Sequence, residues 1–304
     1  MLITRDPQAF LALTRRLAPD AGPATARGVF LVSPDGFARA EESARDNVYM
    51  ASTGFDAGEA LAEHRALHQT LSTQLPVVAF AGDAATPDAL FPNNVFATVP
   101  GRVIVGRMRH AVRQREAARA DIRGFFTGLL GYAETDLSSQ PHPCELTGAL
   151  VIDRARGIGF CGLSERCDAQ GAALMHAAFG LRATFVFDLA PGEYHSNVVL
   201  AVLAGRAALV CPDGLAEPAP LIALLQALYG RHVVLLSPAE KQAFAGNAIS
   251  ITPEAVWMSQ GAADRLEPGS QAALRQAGLA VRSVALPAIE AAGGSLRCCV
   301  GEIF

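Results

Sequence analysis

The chain has 304 residues, 51% hydrophobic and 18% charged, with 28 glycines and 18 prolines, a globular composition with ample material for a large core. A formal net charge of -4 is mild and argues against nucleic acid or an anionic membrane surface as partner. Lys241 is the single lysine among 25 Lys and Arg residues, which reads as codon bias. No basic stretch followed by an apolar run marks a signal peptide, and no apolar run reaches the ~18 to 20 residues of a membrane span. Six scattered cysteines form neither a C-x-x-C pair nor a zinc pattern, so reduced thiols in a cytoplasmic protein are expected.

Asp6-Pro7 reads as an N-cap followed by proline at the first helical position, with Phe10, Leu11, Leu13 and Leu17 on an approximate apolar face. Ala21-Gly22-Pro23-Ala24 then reads as a linker. Residues 1–25 are therefore expected as a helix and linker outside a single catalytic domain over 26–304. Gly28 to Ser33 is a continuous apolar strand of the buried kind, stopped by Pro34-Asp35-Gly36. A helix from Ala57 to about Gln74 leads to a strand from Pro76 to Phe80. Strands from Asn94 to Val99 and Arg102 to Met108 meet across Pro100-Gly101, and Arg109 to Gly131 is helical. Hairpins follow at Gly148 to Cys161, at Val198 to Cys211 and at Ala248 to Met258. Helices then strands fill the rest, and the tail Gly293-Gly294-Ser295 to Phe304 ends in a short apolar strand.

The unit is hairpin, helix, strand, recurring about every 50 to 60 residues, a period that signals a repeat array or propeller. A doubly wound sheet shows single strands between helices, and no G-x-G-x-x-G or P-loop is present. The repeats favour a closed ring of α/β blades, with ligands at the central channel.

Four stretches place polar residues where such a ring puts its ligand. Asn93 and Asn94 follow Pro92, and Glu145 enters an apolar run. His195 and Asn197 stand two apart, on one face of an expected strand. Cys298 and Cys299 follow a glycine turn and Arg297. Each has an ordinary explanation alone: turn-forming amides, a surface carboxylate, a structural histidine, buried thiols acting as small hydrophobes. A thiol beside a base or cation is instead a nucleophile.

Taken together, the stretches resemble the guanidine-modifying (amidinotransferase) superfamily, in its arginine deiminase-related branch of dihydrolase-like and citrulline-utilising hydrolases. The motifs are Pro92-Asn93-Asn94-Val95-Phe96, Cys144-Glu145-Leu146-Thr147-Gly148, Tyr194-His195-Ser196-Asn197-Val198, Phe244-Ala245-Gly246-Asn247 and Gly293-Gly294-Ser295-Leu296-Arg297-Cys298-Cys299. They match that branch in order from about Ala26 to the C-terminus. Leu146 replaces a family glycine, Ala149 a serine, Ala292 a glycine and Cys299 a methionine, changes that bear on substrate identity.

The resemblance implies a five-bladed α/β-propeller (pentein) with neither metal nor organic cofactor. It implies Cys298 as nucleophile on a guanidinium or ureido carbon, His195 as general acid and then base, and Glu145 as its orienting partner. Asn93, Asn94, Asn197, Asn247 and Arg297 are the expected substrate-binding residues. Where deiminases grip the guanidinium with aspartates, Asn94 and Asn197 stand here, and amides also donate to a carbonyl. That favours a ureido oxygen in the substrate or the second-step intermediate. The expected partner is a small guanidino or ureido amino acid, arginine or citrulline in type, and a homo-oligomer is an allowed assembly. An amidinotransferase and a silent binding protein of the same fold are the alternatives, and spacing alone leaves Cys299 open as nucleophile.

Overall fold

The structure is a computed structural model that describes residues 2–304. Its strands fall into five separate sheets, none of which closes on itself among the described residues. One wiring rule recurs: the first strand of a unit runs antiparallel to the second, and the third returns parallel to the second. Phe96–Val99, Arg102–Val105 and Ala133–Asp136 follow it. So do Leu150–Asp153, Ile158–Leu163 and Ala183–Asp188, and Leu200–Leu203, Ala207–Val210 and Val233–Leu235. In another sheet Gly301–Ile303, from the far end of the chain, runs antiparallel to Gly28–Val32, which is parallel to Val77–Phe80. The fifth unit is reduced. Ala255–Ser259 runs parallel to Ala280–Val284, and the hairpin expected from Ala248 survives as one antiparallel bridge, Ile249 to Trp257.

Local sequence accounts for these elements. Gly28–Val32 is buried at every position, and Phe30 meets Phe80 and Phe126 edge-on. Helix Ala57–Ser72 starts where Asp56 accepts from the Glu59 N–H, and buries Ala60, His64, Leu67 and Leu71 on one stripe. Helix Ala169–Phe179 is capped by Asp168 and stopped by Gly180 at φ 64°.

Three expectations are corrected. Arg109 to Gly131 is not one helix. It divides into Ala111–Ala117, Ala120–Gly124 and a π turn Phe125–Leu129, broken where Arg119 turns extended to pair with Asp121 and the Ala81 carbonyl. The opening segment does not stand apart. Leu2–Thr4 adds a parallel edge strand to Ala183–Asp188, and Phe10 of helix Pro7–Thr14 is fully buried against Phe160 and Phe185.

The third correction positions the site. The stretches read as strand starts are single helical turns: Leu146–Ala149, Ser196–Val199 and Leu296–Cys299. A 3-10 turn, Pro92–Asn94, takes the equivalent place in another unit. Each turn runs straight into the first strand of its unit, so Glu145 and His195 stand at N-cap positions, ahead of the strands. Leu146 carries this turn at φ 23°, in the left-handed region that glycine favours.

Candidate active site

Glu145 and His195 are fully buried, with His195 Nε2 2.8 Å from Glu145 Oε2. Glu145 Oε1 accepts from the Arg109 N–H at 2.9 Å, and Arg166 Nη1 stands 3.4 Å from Oε2. Burial opposes the carboxylate charge, but Arg166, the His195 contact and Arg113 together hold Glu145 well below the usual carboxylate range. Burial, with Arg166 and Arg113, pulls His195 below an ordinary histidine despite Glu145. A neutral ring that donates Nε2–H to Glu145 leaves Nδ1 as a free base, and that atom is buried without a partner. Gly148 makes this packing feasible, since a Cβ there would stand 2.7 Å from His195 Cε1.

Cys298 sits in the turn Leu296–Cys299 with 2% exposure. Asn247 Nδ2 donates to its sulfur at 3.2 Å and Asn247 Oδ1 accepts the Cys298 N–H at 3.3 Å. Asn197 Oδ1 lies 3.9 Å from the sulfur, and the Asn197 carbonyl accepts from Asn247 Nδ2 at 2.8 Å. Burial raises the Cys298 thiol, partly offset by Asn247, the Ser295 backbone contact and the charges of Arg297 and Arg113. The raised value favours the thiol form at rest. Cys299 lies in the apolar cluster with Trp257 and Leu296, and burial pushes it well above an ordinary cysteine, with Cys298 and Glu290 adding.

Cys298 lines a cavity of about 20 Å³ together with Asp88, Asn94, Arg113, Arg166 and Tyr194. The segment from Ser43 to Met50 covers it. Asp46 pairs with Arg166 through two contacts of 2.7 Å and with His110 at 3.0 Å. Asn47 donates to the Gly293 carbonyl at 3.2 Å, and Tyr49 donates to Glu193. A cavity of that size holds about one water. Two polar atoms of its lining residues, Asp88 Oδ1 and Asn94 Oδ1, are buried without hydrogen-bond partners, as are Asn197 Nδ2 and, next in sequence to Asn94, both side-chain polar atoms of Asn93.

The structure thus pairs His195 with Glu145, and Cys298 with Asn247 and Asn197, and it sets Asn94 on the Cys298 cavity. Arg166, which lines that cavity and reaches Glu145, links the two groups, and the Asn93 carbonyl accepts from Thr147. It does not bring Arg297. That guanidinium bonds the Val300 carbonyl and Glu302, each at 2.9 Å, and lines a different cavity. The buried cations at the cavity are Arg113 and Arg166, and the buried acid is Asp88. Asp88 left a trace in sequence, as an acid opening the run to Pro92. Arg166, in Ser164-Glu165-Arg166-Cys167, left none to separate it from a surface arginine.

The fold is that of several solved structures. The N-terminal domain of ArgZ, an arginine dihydrolase from the ornithine-ammonia cycle in cyanobacteria solved bound to substrate, matches at TM-score 0.78 and 18% identity over 91% of this chain and 97% of that one. AgrE in ternary complex with ornithine and NAD+ matches at 0.78 and 18% over 91% of this chain, which spans only 39% of AgrE. DDAH from Pseudomonas aeruginosa complexed with citrulline matches at 0.70 and 19% over 91% of this chain and 99% of that one. No curated protein matches by sequence. The fold is therefore the α/β pentein type that these structures share. The profile of the family N,N dimethylarginine dimethylhydrolase, eukaryotic, matches residues 33–304, and the chain belongs to that family, hydrolases of amidino C–N bonds that use a cysteine.

Proposed function

We propose that the chain hydrolyses the terminal C–N bond of a small amino acid bearing a guanidino or ureido group, arginine or citrulline in type, through a covalent intermediate on Cys298. The observation that carries this reading is a buried thiol held by Asn247 beside Asn197, at a cavity whose polar atoms lack partners, with the Glu145–His195 pair behind it. Cys298 loses its proton and its sulfur bonds to the central carbon. The terminal nitrogen leaves as ammonia, protonated through His195. Water then bonds to the same carbon, His195 takes its proton, and the C–S bond breaks to return the thiol. Glu145 holds the His195 tautomer throughout. Arg166 and Arg113 supply cations for the substrate carboxylate, and Asp88 supplies an acceptor.

The same reading takes the five sheets as blades of one closed ring over residues 26–304. Asn94, Glu145, His195, Asn247 and Cys298 fall about 50 residues apart, each just ahead of the first segment of a unit. Six unbridged cysteines support a reducing, cytoplasmic setting. Among the described residues no helix is long and apolar enough to cross a membrane.

Amides at 94 and 197 favour a ureido oxygen over a guanidinium, because an amide both donates and accepts. The test is steady-state turnover of arginine and citrulline by Asn94→Asp and Asn197→Asp. Citrulline turnover should fall at least tenfold more than arginine turnover. Equal responses would remove the argument for a ureido substrate, and no ammonia from either substrate with the native chain would remove the function.

A further inference from the structure

A second cavity, of about 40 Å³, is lined in part by Asn197, whose Oδ1 lies 3.9 Å from the thiol. Its walls come from the inner strands Leu150–Asp153 and Leu200–Leu203, from Ala248 to Ser250, and from Arg297 and Glu302. It is a site with room for about three waters, at the ~10 to 15 Å³ each requires. Its lining is the informative feature. Asn197, Ser250 and Arg154 line it; Asn197 Nδ2 and Ser250 Oγ have no hydrogen-bond partner, Arg154 Nη2 has only a 3.9 Å ion pair with Glu302, and Asn197 is only 2% exposed. Buried groups of this kind are satisfied by ordered water, which needs two to four polar partners, roughly what this chamber offers.

The front cavity, of about 20 Å³, has room for about one water and is lined by Ser43, Asn47 and Met50 of a segment pinned through Asp46, Asn47 and Tyr49. A substrate seated there would displace that water. The second half of the reaction nevertheless needs one water per cycle at the carbon attached to Sγ. Thr147 and Asn197 end the rear chamber next to Gly148, on which the His195 ring packs.

We propose that this rear chamber is the hydrolytic-water site, and that Asn197 hands water from it to the intermediate on Cys298. The inference rests on the hydrolase reading above. In this step the water oxygen bonds to the carbon, the C–S bond breaks, and the water proton passes by His195 to the departing sulfur. The first half-reaction, in which sulfur displaces ammonia, draws nothing from the chamber. Filling the chamber therefore separates the two halves.

Ala201→Leu and Ala248→Leu place bulk in it from two walls, at positions 4% and 3% exposed. Quenched reactions with arginine and citrulline are read by intact-protein mass. The expected result is a covalent adduct on most of the protein and a second step slowed at least tenfold, with adduct formation within about twofold of native. Unchanged turnover without adduct overturns the proposal. If the leucines disturb folding, Ser250→Val, close in size and without the hydroxyl, replaces them: adduct build-up supports the chamber and its absence overturns it. A native chain that forms neither adduct nor ammonia fails at the hydrolase reading instead, a result distinct from a slowed second step.

Discussion

Cys298 and His195 are both shifted toward their neutral forms, and burial is the larger cause in each. Glu145 is shifted the other way, toward charge, because Arg166 and His195 outweigh its burial. These shifts favour a thiol, a neutral imidazole and a carboxylate in the resting protein, so in the proposed reaction the thiolate forms when substrate arrives. A cationic guanidinium favours it by proximity, whereas a neutral reagent does not. Alkylation of Cys298 by iodoacetamide should thus keep rising with pH beyond the range of an ordinary cysteine. A cationic haloacetamidine should label at neutral pH, at least tenfold faster. Equal rates and an ordinary thiol profile for both would contradict this electrostatic account. At this scale the sequence named the thiol, the histidine and the acid through the ordered motifs that resemble the family, since each had an ordinary explanation alone. It misplaced Arg297 and missed Arg166, since pairing with Asp46 and Glu145 depends on segments that are more than 100 and about 20 residues away. Leu146 shows a local conflict the motif did expose: a bulky residue at φ 23° where the family pattern has glycine.

At the scale of elements, hairpins were legible and turns were not. Alternating apolar runs across Pro100-Gly101 and Gly205-Arg206 mark strand pairs, and these pair as expected. A four-residue helical turn such as Leu146–Ala149 has no period to read, so the chain before each inner strand looked like more strand. Ala133–Asp136 was invisible because it is polar, and its order comes from pairing with Arg102–Val105 and from Arg123 on Glu134 and Asp136. Helix Ala57–Ser72 carries a consequence for stability. His64 lies on its buried stripe, with Nε2 lacking a partner, and burial pulls its pKa down from 6.5 to about 4. Below about pH 6.5 the unfolded chain takes up a proton that the folded one refuses, so stability falls with pH until about 4. The full effect is on the order of 3 kcal/mol at ~1.4 kcal/mol per unit. In urea titrations at pH 7 and 4.5, His64→Leu should lose much less stability on acidification than the native chain. An equal loss in both would assign acid sensitivity elsewhere.

At the scale of the molecule, the repeat was legible because the same arrangement, an inner strand, an antiparallel partner and a parallel return, recurs at a near-constant interval. What the repeat hid was its closing detail. Gly301–Ile303 pairs with Gly28–Val32 across nearly the whole chain, and Leu2–Thr4 joins a sheet whose other strands lie more than 140 residues on. Cys298 also meets residues of other units, Asn197 and Asn247, and four short turns carry residues of the candidate site. The most direct test of the central claim is product identity by mass spectrometry, with ammonia release, for the purified native chain and Cys298→Ser given arginine and citrulline. The account predicts ammonia, with a ureido product from arginine, or ornithine and carbon dioxide from citrulline through its carbamate, and a loss on the order of 10⁴-fold in the variant. Turnover retained by Cys298→Ser, or an amidino group passed to added glycine without ammonia, would contradict it.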